Sequence, residues 1–113
     1  MTKHSPDLDR IFQALSDPTR RAFLARMADG PISVSDLAHP TGFSLPTVMK
    51  HLVILTSAAL ISTEKSGRTR LCRARPETLA ATADWLADQR AKWQSQTDRL
   101  EDYLATLQKD ALR

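Results

Sequence analysis

The final third of the chain, from Pro76 to Lys109, contains no glycine and no proline after its first residue. Leu79, Ala83, Leu86, Arg90, Trp93, Thr97, Leu100, Leu104 and Leu107 recur within it every three or four positions, the spacing of one face of an α-helix. Such a helix runs roughly 50 Å at about 1.5 Å per residue, well beyond what a small single core needs. Part of its apolar face, with Trp85, Trp93 and Tyr103 on or near it, therefore requires a partner. Two arrangements meet that requirement: self-association of two copies, or a fold-back hairpin between Arg90 and Gln96 that covers its own domain. A chain of 113 residues has room for one domain, residues 1–113, and nothing in the sequence marks a second.

The remainder reads as short helices with strong punctuation. Leu8, Ile11, Phe12 and Leu15 fall at i, i+3, i+4 and i+7 and predict a short first helix within residues 1–15. In "SDPTRRAFLARMADG", Asp17 is an N-cap, Pro18 takes the first helical position where its missing N–H costs nothing, and Gly30 follows the end. These signals predict a second helix over about 18–29, with Phe23, Leu24, Met27 and Ala28 inward. After Pro31, "SVSDLAHPTG" has room for two or three turns with Val34, Leu37 and Ala38 apolar. Gly42 is placed to end them in a left-handed conformation. The next helix opens at Ser44. Two short helices joined by a tight glycine-containing turn, residues 33–55, form a helix-turn-helix pattern.

That next helix, "SLPTVMKHLVIL", raises the question of what its outer side touches. Ser44 caps it and Pro46 is tolerated in the first turn, where N–H groups lack intrahelical partners. Val48, Leu52 and Leu55 define a buried side. At 100° per residue, Pro46, Lys50 and Val53 point the opposite way with Thr47 and Met49 on the flanks. Short or apolar groups with a single cation suit a helix that approaches base edges and thymine methyls in a DNA major groove. An ordinary surface helix shows the same periodicity.

Charge placement and the next segment separate the two readings. The net charge is only +3. Residues 44–75 carry six basic side chains, Lys50, Lys65, Arg68, Arg70, Arg73 and Arg75, against the single Glu64. Such a local excess is the footprint of a surface that meets phosphates. "LISTEKSGRTRLCRAR" contains two runs of β character, Leu60–Lys65 and Thr69–Arg73, turning across Ser66, Gly67 and Arg68, where Gly67 supplies the positive φ of a tight hairpin. Arg68 stands at the tip and Arg70 and Arg73 follow on the return strand. A basic hairpin over residues 60–74, directly behind such a helix, predicts a winged helix-turn-helix whose arginines reach phosphates while the helix reads sequence.

In these segments the chain resembles the ArsR/SmtB family of bacterial winged-helix transcriptional repressors. "ALSDPTRRAFLARMADGPISVSDLA" is similar to the family's second and third helices, "SLPTVMKHLVIL" to its recognition helix with the Lys-His-Leu-x-x-Leu core, and "SAALISTEKSGRTRLCRA" to its wing. The resemblance implies a mostly α winged helix-turn-helix with a two-stranded β-hairpin wing and a long C-terminal dimerisation helix. It implies a homodimer in which the first helix (1–15) and last helix (76–109) form the interface, through Leu8, Ile11, Phe12, Leu86, Trp93, Leu100 and Leu104. Double-stranded operator DNA is the implied partner, met by Ser44, Leu45, Pro46, Thr47, Met49, Lys50, Arg68, Arg70 and Arg73. Many members carry Ser where this chain has Met49.

Metal sensing, familiar in that family, is not expected. Some members bear a Cys-Val-Cys element on the third helix, whereas this chain reads Ser33-Val34-Ser35, and hydroxyls do not replace thiolates as soft ligands. The histidines, His4, His39 and His51, have no clustered partners in sequence, and His51 reads as a packed or hydrogen-bonded residue. Cys72 is either a strand residue against the core or a redox group whose thiolate Arg70 and Arg73 favour. No cofactor is expected. The chain lacks the residue patterns of a hydrolase, a metal centre or a phosphate loop, so no enzyme activity is expected. The absence of an apolar run near 18 residues and of a signal-peptide layout leads to the expectation of a soluble, cytoplasmic regulator without a membrane partner. A ligand-responsive repressor, with its inducer unknown, and a winged-helix module that binds proteins remain the alternatives.

Overall fold

Residues 6 to 112 are described by the computed structural model. The first five residues of the expected N-terminal helix, including His4, lie outside the described residues. Among those described, the elements run α1 (Pro6–Leu15), α2 (Pro18–Arg26), β1 (Ile32–Ser33), α3 (Val34–Ala38), α4 (Leu45–Ser57), β2 (Ile61–Ser66), β3 (Thr69–Ala74) and α5 (Pro76–Ala111). Single 3-10 turns, Met27–Asp29 and His39–Thr41, extend α2 and α3. The chain falls into two units, one to residue 80 and one from residue 81.

Capping side chains fix the helix starts in the first unit. The Asp17 carboxylate accepts from the Arg20 N–H at 3.1 Å, Ser33 Oγ accepts from the Asp36 N–H at 3.1 Å, and Ser44 Oγ accepts from the Thr47 N–H at 3.3 Å. Each satisfies one of the donors a helix start leaves without a partner. The stops differ. Gly42 ends the α3 segment at φ 71°, while α4 ends through Ala59, which holds φ 58° as a non-glycine residue. Leu60 N–H reaches back to the Leu55 carbonyl at 3.1 Å, so this left-handed residue turns the chain directly from α4 into β2.

The core of the first unit is assembled from all of these elements. Ile11 and Ala14 of α1, Phe23 of α2, Leu37 of α3, Val48, Leu52 and Leu55 of α4, and Leu60, Ile61 and Cys72 near the sheet form one buried cluster. Each fully buried Leu, Ile or Phe in such a cluster contributes roughly 1.5–3 kcal/mol of transfer free energy. Of the residues expected inward on α2, Phe23 and Met27 are buried, Leu24 is half-buried and Ala28 is exposed. Phe12, placed by periodicity with Leu8 and Ile11, is 39% exposed while those two are 5% exposed. The α1 stripe therefore runs through Leu8, Ile11 and Ala14.

The sheet has three antiparallel strands in the order β1-β3-β2, one more than the expected two-stranded wing. Ile32 pairs with Cys72 and Ser33 with Leu71. Two residues are too few to show any alternation, which is why the sequence pattern does not reveal β1. Ser66 pairs with Thr69 across a two-residue loop whose first residue, Gly67, has φ 64°, the conformation such hairpin loops require.

The second unit is the remainder of α5, a single unbroken helix of 36 residues. The fold-back between Arg90 and Gln96 does not occur, because neither glycine nor proline is present to break the backbone ladder. Leu79, Leu86, Trp93, Leu100 and Leu107 lie seven residues apart and are 37%, 49%, 70%, 57% and 47% exposed. No helix among the described residues is long and apolar enough to cross a membrane.

Candidate nucleic-acid interface

Helix α4 presents two sides of different character. Val48, Leu52 and Leu55 are at most 1% exposed and hold the helix on the core. Leu45, Pro46, Thr47, Lys50 and Val53 are exposed, and α4 carries no acidic residue. The hydroxyls of its first turn are linked: the Thr47 N–H donates to Ser44 Oγ, and Ser44 Oγ–H donates to Thr47 Oγ1 at 3.0 Å. Ser44 Oγ thus donates one hydrogen bond and accepts one, which ties its side chain to Thr47. The positive end of the helix dipole adds to the attraction of this turn for an anion. Met49 is half-buried and packs against the core, so only part of its side chain faces out.

Register sorts the hairpin's cations by side. Thr63 pairs with Cys72 and Lys65 with Arg70; alternate residues share a face, so Lys65 and Arg70 lie on the same side of the sheet as buried Cys72. This side also adjoins α4, since Arg70, Thr63, Met49 and Val53 line one groove. Arg73, three residues from Arg70, lies on the reverse side and donates through Nε to Glu64 Oε1 at 3.0 Å. Arg75 is likewise paired, with Glu77 at 2.8 Å. Among the described residues, Lys50, Lys65, Arg68 and Arg70 have no carboxylate partner. The geometry thus brings Ser44, Leu45, Pro46, Thr47, Lys50, Arg68 and Arg70 to the exposed surface of α4 and the hairpin, and sets Arg73 apart.

Behind α4 lies a polar cluster whose members the sequence does not join. The Arg20 guanidinium donates from Nε to the Ala14 carbonyl at 2.8 Å and from Nη2 to the Gln13 carbonyl at 3.1 Å, closing the end of α1. Its Nη1 lies 3.4 Å from His51 Nδ1. Asp17 Oδ2 lies 3.9 Å from the same nitrogen. Phe43 stacks on the imidazole with ring centroids 6.3 Å apart, and Phe23 meets it edge-on at 6.2 Å. His51 is thus a packed, hydrogen-bonded residue that ties α4 to the corner between α1 and α2. The Asp17 carboxyl is held below its ordinary range, first by the Arg20 backbone N–H, with the Arg20 charge adding to it.

Residues 15–64 match a helix-turn-helix domain family. A crystal structure of an ArsR family transcriptional regulator superposes with a TM-score of 0.78 at 45% identity, covering 84% of this chain and 98% of that one. The HTH-type transcriptional regulator Rv2034 of Mycobacterium tuberculosis is 42% identical over 80 residues, 71% of this chain and 73% of that protein. The transcriptional repressor SdpR of Bacillus subtilis is 30% identical over 79 residues, 70% of this chain and 88% of that protein. The chain belongs to the ArsR family of transcriptional regulators.

Within this ArsR fold two serines, Ser33 and Ser35, stand at the start of α3. Ser33 caps α3 through its hydroxyl, and Ser35 is exposed. Among the described residues, no group of three or more His, Cys, Asp or Glu is placed to hold a metal ion. Cys72 is fully buried, and burial pushes its thiol pKa up, against the smaller opposing effect of the Arg70 charge. The thiolate that a redox role needs is thereby disfavoured.

Proposed function

We propose that this ArsR-family chain is a dimeric, metal-independent repressor that binds an inverted-repeat operator, including one near its own promoter. The observation that carries the reading is the shared exposed side of α4 and the hairpin, where Lys50, Lys65, Arg68 and Arg70 stand without carboxylate partners. In this reading Thr47, Met49 and Lys50 meet base edges beside Leu45 and Pro46, Ser44 positions Thr47, and Arg68 and Arg70 hold phosphates. Arg73, facing the reverse side, stabilises the hairpin through Glu64 and makes at most a peripheral phosphate contact. Exposed Leu86, Trp93, Leu100 and Leu104 of α5 form the self-association face, together with the exposed part of Phe12 on α1, whereas Leu8 and Ile11 are buried within the chain. Two copies would set their recognition helices roughly 34 Å apart, one turn of duplex. Repression follows by covering a promoter, with no metal in the cycle.

The test is titration of the full chain into a fluorescent duplex bearing the DNA upstream of its own coding sequence, against a scrambled duplex of equal length at physiological salt. Specific binding about a thousandfold tighter supports autoregulation. Equal, weak binding to both, rising steeply as salt falls, would point instead to a protein-binding module or another promoter. Sedimentation of the free chain as a monomer at micromolar concentration would overturn the dimeric part.

A further inference from the structure

The side of α4 that adjoins the hairpin differs in chemistry from its first turn. Met49, Val53 and Thr56 of α4, with Thr63 and Arg70 of the hairpin, border an open groove of about 350 Å³. Val53 is 57% exposed, more than Leu45 at 52% or Ile54 at 38%, the other large exposed apolar residues of α4. Two of the hydroxyls around it are engaged inside the protein: Thr56 Oγ1 donates to the Leu52 carbonyl at 2.8 Å, and Thr63 Oγ1 accepts from Arg70 at 3.3 Å; Ser57, at the C-terminal end of α4, adds one exposed hydroxyl to the lining. Beside Val53 and Met49 the groove therefore presents mainly methyl and thioether surface, with a cation at its hairpin edge and Lys50 one turn away on the helix.

An occupant must offer an apolar group and an anion at fixed separation. In a DNA major groove the thymine 5-methyl is the apolar group on a base edge, flanked by phosphates. A valine makes no side-chain hydrogen bond, so its discrimination among bases rests on that methyl. We infer that Val53, backed by Met49, is a specificity-determining residue that reads a thymine methyl in each operator half-site, with Arg70 on an adjoining phosphate. This rests on the DNA-binding reading above and adds to it a base identity and a residue outside the first two turns of α4.

The experiment starts from the tightest duplex that the full chain selects from a random-sequence pool, so that no particular promoter is assumed. Each thymine of that duplex is replaced singly by deoxyuridine, which removes only the methyl. Wild-type protein is expected to lose about fourfold in affinity at one symmetry-related position, the value of one buried methyl-sized group. Val53→Ala is expected to bind the thymine and deoxyuridine duplexes equally at that position, with its thermal melt unchanged. Tight selection of a duplex with no deoxyuridine-sensitive position, or a sensitivity that persists in Val53→Ala, overturns the inference and leaves the DNA reading standing. Failure to enrich any duplex overturns both.

Discussion

Arg20 Nη1 and His51 Nδ1 lie 3.4 Å apart although 31 positions separate them in sequence. A guanidinium only donates, so a hydrogen bond across this contact takes the lone pair of Nδ1 as its acceptor. The same guanidinium closes two carbonyls at the end of α1. One side chain thus fixes the corner between α1 and α2 and the rear of α4.

Arg20→Lys is expected to destabilise the fold nearly as much as Arg20→Ala, by about 1–3 kcal/mol, because an ammonium cannot serve three divergent acceptors from one plane. Urea unfolding curves with an unchanged slope would check it. A lysine variant within a few tenths of a kcal/mol of wild type would mean that charge alone matters there.

Asp17 has a folded-state pKa below its ordinary value, so its contribution to stability is fully present above the unfolded-state pKa and is lost as pH falls through the folded one. Melting temperature should therefore decline below about pH 4. Asp17→Asn keeps a capping acceptor but does not titrate, and its melting temperature should fall less over the same range. Parallel acid-limb curves for the two proteins would remove Asp17 as a source of the decline.

Ala59 holds a left-handed conformation at φ 58° that costs a residue with a Cβ about 1–2 kcal/mol. Glycine relieves that strain while adding unfolded-state entropy, so Ala59→Gly should stabilise by a net of about 0.5–1 kcal/mol. Differential scanning calorimetry would report a rise in melting temperature; a fall would show that the Ala59 methyl contributes packing that outweighs the strain.

Cys72, buried and with its thiol pKa raised, should react with a disulfide reagent only when the fold opens. The labelling rate in native buffer is expected to be slow and to climb with urea in step with unfolding. Fast labelling of the native chain would place the thiol at the surface and revive a redox role.

The two wing arginines should separate in DNA binding. Arg70→Ala is expected to weaken binding to all duplexes similarly and to lower the salt slope by about 1, as loss of one phosphate contact does. Arg73→Ala should leave that slope unchanged, its guanidinium being turned to Glu64. Lys50→Ala should cost about 1–3 kcal/mol if its ammonium meets a base. Equal slopes for the two arginine variants would place both sides of the hairpin against DNA.

Much of the fold is legible because its punctuation is local. Asp17, Ser33 and Ser44 act on N–H groups three residues away, and Gly42 and Gly67 take the positive φ their positions demand. The buried side of α4 follows from helical period alone. What escapes is short or distant: β1 is two residues long, Ala59 adopts a glycine's conformation without being glycine, and Arg20 meets His51 across three helices. The sidedness of the wing was available in principle. Arg70 and Arg73 differ by an odd number, which in a strand puts them on opposite faces; their shared charge conceals that difference.

The seven-residue spacing from Leu79 through Leu107 on α5 makes the length of that helix a quantised trait. Removing seven residues shortens it by about 10 Å and turns the remaining face by only about 20°. Removing one rotates everything beyond the cut by about 100° and scatters the stripe around the cylinder. Natural variation in this segment should therefore come in whole heptads, and a chain that lost or gained a single residue there would have to find a new way of meeting its neighbour.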